Sequence, residues 1–143
     1  KLSSELLVSE GLQNVFARHR RIANGFRAAV GAWGFPLCAA RPEIFSYTVT
    51  VICTPEGFDA GKIVAQAARK YGVAFGLGIG ELSGKVFRLG HLGLMSDVMA
   101  LAGIAAAEMA MIDVGLSVKP GSGVAAAEEI YRTDHASPRK LAA

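Results

Sequence analysis

Residues 76–93 read GLGIGELSGKVFRLGHLG, a glycine-rich segment followed directly by a short strand-like run. Successive side chains of a strand point to opposite faces of a sheet, so Arg88 is expected to share its face with Val86 and Gly90. A small valine and a glycine leave space beside the guanidinium, whose planar fork matches the geometry of a carboxylate or a phosphate. Arg88 is therefore a candidate anion-binding residue, and the rest of the chain is expected to hold it in place.

The composition predicts one folded domain. The chain has 143 residues, of which 52% are hydrophobic and 19% charged, so it can bury a core and is not typical of a disordered segment. The net charge is +3, but the basic cluster of Arg18, Arg20 and Arg21 is expected to cap or solvate a helix face, and no nucleic-acid partner is predicted. No apolar run approaches the ~20 residues that a membrane helix needs, so no membrane partner is predicted either.

The two cysteines, Cys38 and Cys53, lie in apolar strand-like stretches without the spacing of a metal site. We expect buried thiols in a reducing compartment, which favours a cytoplasmic location, and no metal site.

Hydrophobic periodicity predicts the order of the elements. Apolar residues recur every three or four positions from Leu12 to Trp33, which indicates a long amphipathic helix that Gly34 ends, and residues 9–11 break an earlier turn from it. Residues 35–39, 47–53 and 85–91 are predicted strands. Asp59 is the expected N-cap of a helix that Gly72 ends.

A last long helix is predicted from a cap at Ser96 or Asp97 to Gly115, and a short alanine-rich helix follows it. The stripe of this long helix that faces the core is expected to comprise Val98, Leu101, Ala102, Ala105, Met109 and Ile112. Helices and strands are mixed without repeated βαβ units, so the predicted fold class is α+β: a small, mostly antiparallel sheet with helices packed on one face. The domain is expected to span residues 1–131, and residues 132–143 are expected to form a loose tail whose last residues resemble a cloning linker.

The residues themselves leave the chemistry open. A dinucleotide fingerprint must open a helix, whereas the glycines at 76, 78 and 80 precede a strand, so they are expected to let backbone approach a ligand or a partner. The three histidines have no nucleophile at a recognisable spacing, and Glu81 and Glu108 are expected to be solvated or capping carboxylates. On spacing alone, Arg88 is equally an anion-binding residue or an ordinary surface or salt-bridged arginine.

Several motifs resemble one enzyme family. Residues 84–93, GKVFRLGHLG, resemble the GK(V/I)FRIGH(L/M)G signature of class V, fold-type I aminotransferases of the serine–glyoxylate and alanine–glyoxylate group. Residues 10–19 resemble the EGL..VFARH helix of that family, and residues 48–57 resemble its TVT…PEG strand. Residues 118–127, VKPGSGVAAA, match the tail of the serine–glyoxylate type. The motifs occur in the family's order along most of the chain.

The resemblance implies the C-terminal small domain of a pyridoxal-phosphate aminotransferase that transfers an amino group from serine or alanine to glyoxylate or a similar 2-oxo acid. It implies that Arg88 binds the substrate α-carboxylate and that Gly76, Gly78 and Gly80 border the substrate entrance. No lysine of the chain lies in the family's Schiff-base motif, so the catalytic lysine and most of the pyridoxal phosphate site are expected upstream. The chain then contains no catalytic residue and is expected to be inactive alone, as a fragment without its large domain.

The partners implied by the resemblance are the chain's own large domain or a co-purifying N-terminal chain, a second copy in a homodimer, and small amino-acid and 2-oxo-acid substrates. His91 matches the serine–glyoxylate pattern, although it is expected to face away from Arg88. Residues 94–97 depart from the family's Asp-Leu-Asn-Glu, which leaves the substrate preference open. Within the family, a pyridoxamine–pyruvate type enzyme is an alternative.

The rival outside the family is a free-standing, non-catalytic α+β module that binds a small carboxylate. If the chain is an aminotransferase domain, we expect an exposed apolar surface on the N-terminal helix. If it is a free-standing module, we expect that surface to be covered.

Overall fold

The computed structural model describes residues 2–134, so Lys1 and most of the predicted tail, from His135 onward, lie outside it. The helices and strands follow in the order α1 (Leu2–Glu10), α2 (Leu12–Trp33), β1 (Val49–Cys53), α3 (Gly61–Tyr71), β2 (Gly76–Leu77), β3 (Val86–Gly90), α4 (Asp97–Asp113) and α5 (Ser122–Thr133), with short 3₁₀ turns at Pro42–Ile44 and Gly80–Leu82. Helix α5 thus continues past the domain boundary expected at residue 131.

Helix α2 has the bounds that the periodicity predicted. Its C-cap, Gly34, has a φ of 77° and donates its N–H to the carbonyls of Gly31 and Val30, which closes the last turn. Gly11, with a φ of 82°, separates α1 from α2. Most of the predicted stripe is buried, but Leu12 and Phe16 near its start are exposed.

The sheet has three antiparallel strands in the order β1-β3-β2. Ile52, Phe87 and Leu89 are fully or almost fully buried against the helices, so the helices cover one face of the sheet and the predicted α+β fold is confirmed. The prediction of a strand at residues 35–39 is wrong, because this segment pairs with β1 through the single bridge Leu37↔Ile52. Pro36 has no N–H to extend the ladder.

Helix α4 presents a different face to the core from the one predicted. Its buried residues include Ala100, Ile104, Ala107 and Met111, which recur at helical spacing, whereas Val98 is 74% exposed. Since this helix is apolar on almost every side, its periodicity could not identify the core-facing stripe. Ser96 caps the helix as expected, by accepting a hydrogen bond from the Met99 N–H at 3.2 Å.

Glu108 of α4 is buried and connects three parts of the fold. Its Oε2 accepts hydrogen bonds from Trp33 Nε1 and from the N–H of Gly123, both at 2.8 Å, and its Oε1 accepts the N–H of Gly121. The carboxylate therefore caps the N-terminus of α5, which agrees with one of the two roles expected for it. A Cβ at residue 123 would lie 2.3 Å from Trp33 Nε1, so this contact requires glycine.

The cysteines differ from the prediction in their burial. Cys38 and Cys53 are free thiols that are half-buried rather than buried. Within residues 2–134, no helix combines the length and hydropathy that spanning a membrane requires.

Candidate anion-binding site

Arg88 lies at the centre of the sheet face that the helices do not cover. It occupies the middle of β3, paired with Val51 of β1 on one side and with Gly76 of β2 on the other. Phe87 and Leu89 point into the core, so strand alternation directs Arg88 to the opposite face together with Val86 and Gly90, as the sequence predicted.

The guanidinium of Arg88 has no partner within residues 2–134. Its Nε is buried and makes no hydrogen bond, and no ion pair of the described residues includes this side chain. Buried donors in proteins are almost always hydrogen-bonded, so an unpaired guanidinium nitrogen marks a place where an acceptor is missing. The salt-bridged alternative for Arg88 is therefore not observed among the described residues, and the arrangement suits an incoming carboxylate.

The three glycines named in the sequence have different surroundings. A Cβ on Gly76 would lie 3.0 Å from Arg88 Nε and 3.1 Å from Arg88 Cβ, so Gly76 borders the guanidinium directly. A Cβ on Gly78 would lie 2.0 Å from the Leu82 carbonyl oxygen, and Gly80 has a φ of 59°. Gly78 and Gly80 are thus explained by the turn that returns the chain to β3.

The segment after β3 is fixed to the start of α2. Arg18 binds Glu10 through two hydrogen bonds of 2.6 and 2.8 Å and donates a third, of 2.7 Å, to the Gly93 carbonyl. His19 Nδ1 donates to the Val15 carbonyl at 2.8 Å, and its Nε2 accepts the Gly93 N–H at 3.1 Å. The two sequence motifs at residues 10–19 and 84–93 therefore meet in space, which their distance in the sequence does not reveal.

His91 belongs to the core side of this region. It is fully buried, stacks on Phe26 with a ring separation of 4.7 Å, and shares a hydrogen bond of 2.9 Å between Nε2 and the Thr50 hydroxyl. Burial, together with the positive charge of Arg27, lowers the pKa of His91 to about 4. The expectation that His91 faces away from Arg88 is confirmed.

Several other charged residues are engaged in structural contacts. Arg18 and Arg21 form ion pairs with Glu10 and Asp97, so they stabilise the fold rather than merely solvate a helix face. Lys70 is paired with Asp113, and Lys62 lies over the Phe58 ring. Within the part of the chain that the structure describes, no group of His, Cys, Asp and Glu side chains could hold a metal ion.

A separate groove of about 240 Å³ opens between the 3₁₀ turn Pro42–Ile44 and β1. Its lining is mostly apolar and includes Leu37, Phe45 and Val51, and Arg88 is not part of it. Arg27, which also borders the groove, is bound to the Ser46 carbonyl and to Asn24. The groove therefore has no charged side chain without a partner among the described residues, in contrast to the face that carries Arg88.

Comparison with known proteins shows the same relationship in sequence and in structure. The chain is 59% identical over 141 residues to the L-aspartate–glyoxylate aminotransferase of Paracoccus denitrificans, covering 99% of the chain and 36% of that protein. It is 50% identical over 131 residues to the serine–glyoxylate aminotransferase of Hyphomicrobium methylovorum, covering 92% and 32%. The crystal structure of pyridoxamine–pyruvate aminotransferase from Mesorhizobium loti superposes with a TM-score of 0.86 at 37% identity, covering 91% of the chain and 33% of that structure. No protein-family model matches.

The chain is thus similar in sequence and in structure to class V, fold-type I aminotransferases of the glyoxylate-using group, and it matches their C-terminal portion. The chain spans about a third of the length of the curated relatives it matches. The family is enzymatic and its members depend on pyridoxal phosphate. The resemblance read from residues 84–93 is confirmed.

Proposed function

We propose that the chain is the substrate-carboxylate-binding small domain of a pyridoxal-phosphate-dependent aminotransferase. The reaction is the transfer of an amino group from serine or alanine to glyoxylate or a similar 2-oxo acid. The observation that carries the proposal is the guanidinium of Arg88, which lies on the open face of the sheet and whose buried Nε has no hydrogen-bond partner among the described residues. The names of the relatives support the reaction class.

The residues present fit the substrate carboxylate rather than the cofactor itself. Lys62 lies over the ring of Phe58, and Lys70 forms an ion pair with Asp113. Lys85 is exposed and lies directly before β3. When bound, pyridoxal phosphate supplies an electron sink for the bonds to the substrate Cα. We infer that its lysine lies upstream of this chain and that the chain alone is inactive.

The proposed contribution of Arg88 is to bind the substrate carboxylate and to orient the substrate. Two parallel hydrogen bonds from the guanidinium to a carboxylate fix both the position and the rotation of that group. Because the carboxylate is attached to Cα, fixing it also fixes the direction of the Cα–H bond that must break. Holding a reactant in this way converts binding energy into rate. Gly76, Gly78 and Gly80 would lie at the rim of this substrate entrance.

The exposed apolar surface at the N-terminus favours this proposal over a free-standing carboxylate-binding module. Helix α1 contains no buried residue, and its exposed side chains include Leu2, Leu6, Leu7 and Val8. An isolated module would cover such a helix, whereas a domain joined to a larger upstream one leaves it for the interface. The proposed partners are accordingly an upstream large domain, a second copy in a homodimer and small substrates, in the cytoplasm.

A second candidate concerns the amino donor. The high identity to an L-aspartate–glyoxylate aminotransferase favours aspartate as a donor alongside serine and alanine, and the structural likeness to a pyridoxamine–pyruvate enzyme adds pyridoxamine. The full-length enzyme should be assayed with each donor and with glyoxylate and pyruvate as acceptors. A visible absorption band that shifts on addition of one donor identifies the substrate. A protein that stays colourless with added pyridoxal phosphate contradicts the proposal.

Arg88→Lys in the full-length enzyme tests the carboxylate role. We expect the KM for the amino acid to rise about a hundredfold, because a single ammonium replaces a bidentate fork and loses a charge-assisted hydrogen bond. Arg41→Lys is the matched control, since the Arg41 side chain is exposed and makes no hydrogen bond within the described residues. Steady-state kinetics with unchanged KM in Arg88→Lys would exclude the proposed role.

A further inference from the structure

Gly76 faces the side chain of Arg88 across the β2–β3 ladder. The two residues are direct partners in the register, so a side chain at position 76 would stand beside the arginine on the open face of the sheet. A Cβ there would lie 3.0 Å from Nε, 3.1 Å from Cβ and 3.4 Å from Cζ of Arg88. These distances are shorter than ordinary carbon contacts, so the guanidinium occupies the space that a side chain would take.

The backbone of Gly76 does not itself require glycine. Its φ is outside the positive range, unlike that of Gly80 and Gly84 in the following turn. Gly78 differs again, because a Cβ there would meet the Leu82 backbone. What position 76 requires is therefore space for the arginine, and not a special backbone conformation.

The other neighbour of Arg88 makes the arrangement asymmetric. Val51 carries a branched side chain at the paired position of β1, whereas β2 offers bare backbone. The guanidinium accordingly lies over β2, where its Nε is buried and finds no hydrogen-bond partner in residues 2–134. The side chain of Val51 on one side and the bare backbone of Gly76 on the other therefore determine how the guanidinium is oriented.

We propose that Gly76 is a positioning residue for Arg88: its missing side chain lets the guanidinium lie over β2 and present its fork to the substrate carboxylate. This inference rests on the proposed function, because it assigns Gly76 to the same carboxylate site. It differs from a place at the substrate entrance, since Gly76 acts through Arg88 and need not contact the substrate.

The test is a double-mutant cycle in the full-length enzyme with Gly76→Ala, Arg88→Lys and both together. Gly76→Ala should raise the KM of the amino acid about tenfold with a smaller change in kcat, because it displaces the guanidinium by a fraction of an ångström to an ångström. In the Arg88→Lys background the same alanine should change KM less than twofold, since the fork that it displaces is gone. Propionate serves as a simple carboxylate probe. Its binding, measured as competitive inhibition, should weaken in the same variants in which the KM of the amino acid rises. Gly31→Ala is the control, because a Cβ at the exposed Gly31 meets nothing within 4 Å.

The outcomes separate the two proposals. If Arg88→Lys raises KM and Gly76→Ala does not, the positioning role is wrong and the carboxylate role stands. Equal effects of Gly76→Ala in both backgrounds would also overturn it, because a merely structural glycine acts independently of Arg88. An Arg88→Lys enzyme with normal KM removes both proposals. If Gly76→Ala does not fold, the double variant Gly76→Ala with Arg88→Ala provides the test. It is expected to fold, because alanine at position 88 removes the contacts of the new Cβ with Nε and Cζ of the arginine. A double variant that also fails to fold would reject the positioning role.

Discussion

Arg88 and His91 lie three positions apart, yet their side chains meet opposite environments. The guanidinium of Arg88 lies on the open face and has no hydrogen-bond partner within residues 2–134, whereas the imidazole of His91 is enclosed by Phe26 and Thr50. An odd spacing in an extended chain puts two side chains on opposite faces, so one segment supplies both a binding group and a core residue. The neutral imidazole is a structural group, and its titration should affect stability rather than binding.

We predict that His91 makes the folded state less stable in mild acid. Its pKa is about 4 in the folded chain and about 6.5 when exposed, so the unfolded chain binds the extra proton first as the pH falls. Stability is therefore complete above about pH 6.5 and declines between about pH 6.5 and 4, by up to about 3 kcal/mol. Urea unfolding at a series of pH values measures this slope.

His91→Gln is the variant for this measurement. Glutamine retains a nitrogen that can reach the Thr50 hydroxyl but does not titrate, so the slope between pH 6.5 and 4 should become shallower by the amount that His91 contributes. A variant that keeps the full slope would show that other groups cause it.

At the residue scale, the sequence predicted which face of the strand carries Arg88 but not the contact between Arg88 and Gly76. Strand alternation is a local property, so the face of Arg88 followed from residues 86–90 alone. The contact with Gly76 depends on the register of β2 against β3, and β2 consists of only Gly76–Leu77, a pair with little strand character of its own. Tertiary pairing creates that strand, which local reasoning from the sequence cannot anticipate.

At the scale of elements, Glu108 of α4 accepts hydrogen bonds from Trp33 of α2 and from the N-terminus of α5, and so holds the three helices together. We predict that Glu108→Gln lowers the free energy of unfolding by about 2 kcal/mol, because an amide nitrogen cannot accept the hydrogen bond that one carboxylate oxygen accepts now. The backbone N–H of Gly121 or Gly123 would then lose its acceptor. Urea denaturation of the two proteins gives the difference.

Glu128→Gln is the matched control for this prediction. Glu128 is exposed on α5 and forms no ion pair among the described residues, so its neutralisation should change stability by less than about 0.5 kcal/mol. Equal effects of the two substitutions would mean that the buried carboxylate contributes no more than a surface charge does.

The two long helices show why some elements were predictable and others were not. Helix α2 alternates apolar and polar residues at a clear period and ends at a glycine, so both its bounds and most of its buried face followed from the sequence. Helix α4 is apolar almost all round, so its existence was clear but its orientation depends on what packs around it. Ala100, Ala107 and Ala110 face the core because neighbouring helices approach closely there.

At the scale of the whole molecule, one group of exposed apolar residues lies near the N-terminus. Besides α1, they include Leu12 and Phe16 at the start of α2, and Leu92 and Leu94 flank Gly93, whose carbonyl Arg18 binds. Leu12 and Phe16 of the predicted α2 stripe are therefore not covered by the described residues, whereas Val15 between them is buried. Periodicity identified the stripe but could not tell which part of it the chain itself covers.

We predict that polar substitution on α1 will affect the full-length enzyme and not this chain. Leu6 and Leu7 are 50% and 42% exposed, so Leu6→Gln with Leu7→Gln should leave the Tm of the chain itself unchanged. If the upstream domain covers them, the same pair should destabilise the full-length enzyme by about 1–2 kcal/mol for each leucine, because apolar surface loses its buried contact. Met109→Gln on α4, with the same 42% exposure, is the control and should change neither protein. Calorimetry on the chain and on the full-length enzyme, each with and without the substitutions, measures both effects. A loss of Tm in the chain alone would mean that α1 is packed within this domain, and an unchanged full-length enzyme would mean that no domain docks on this surface.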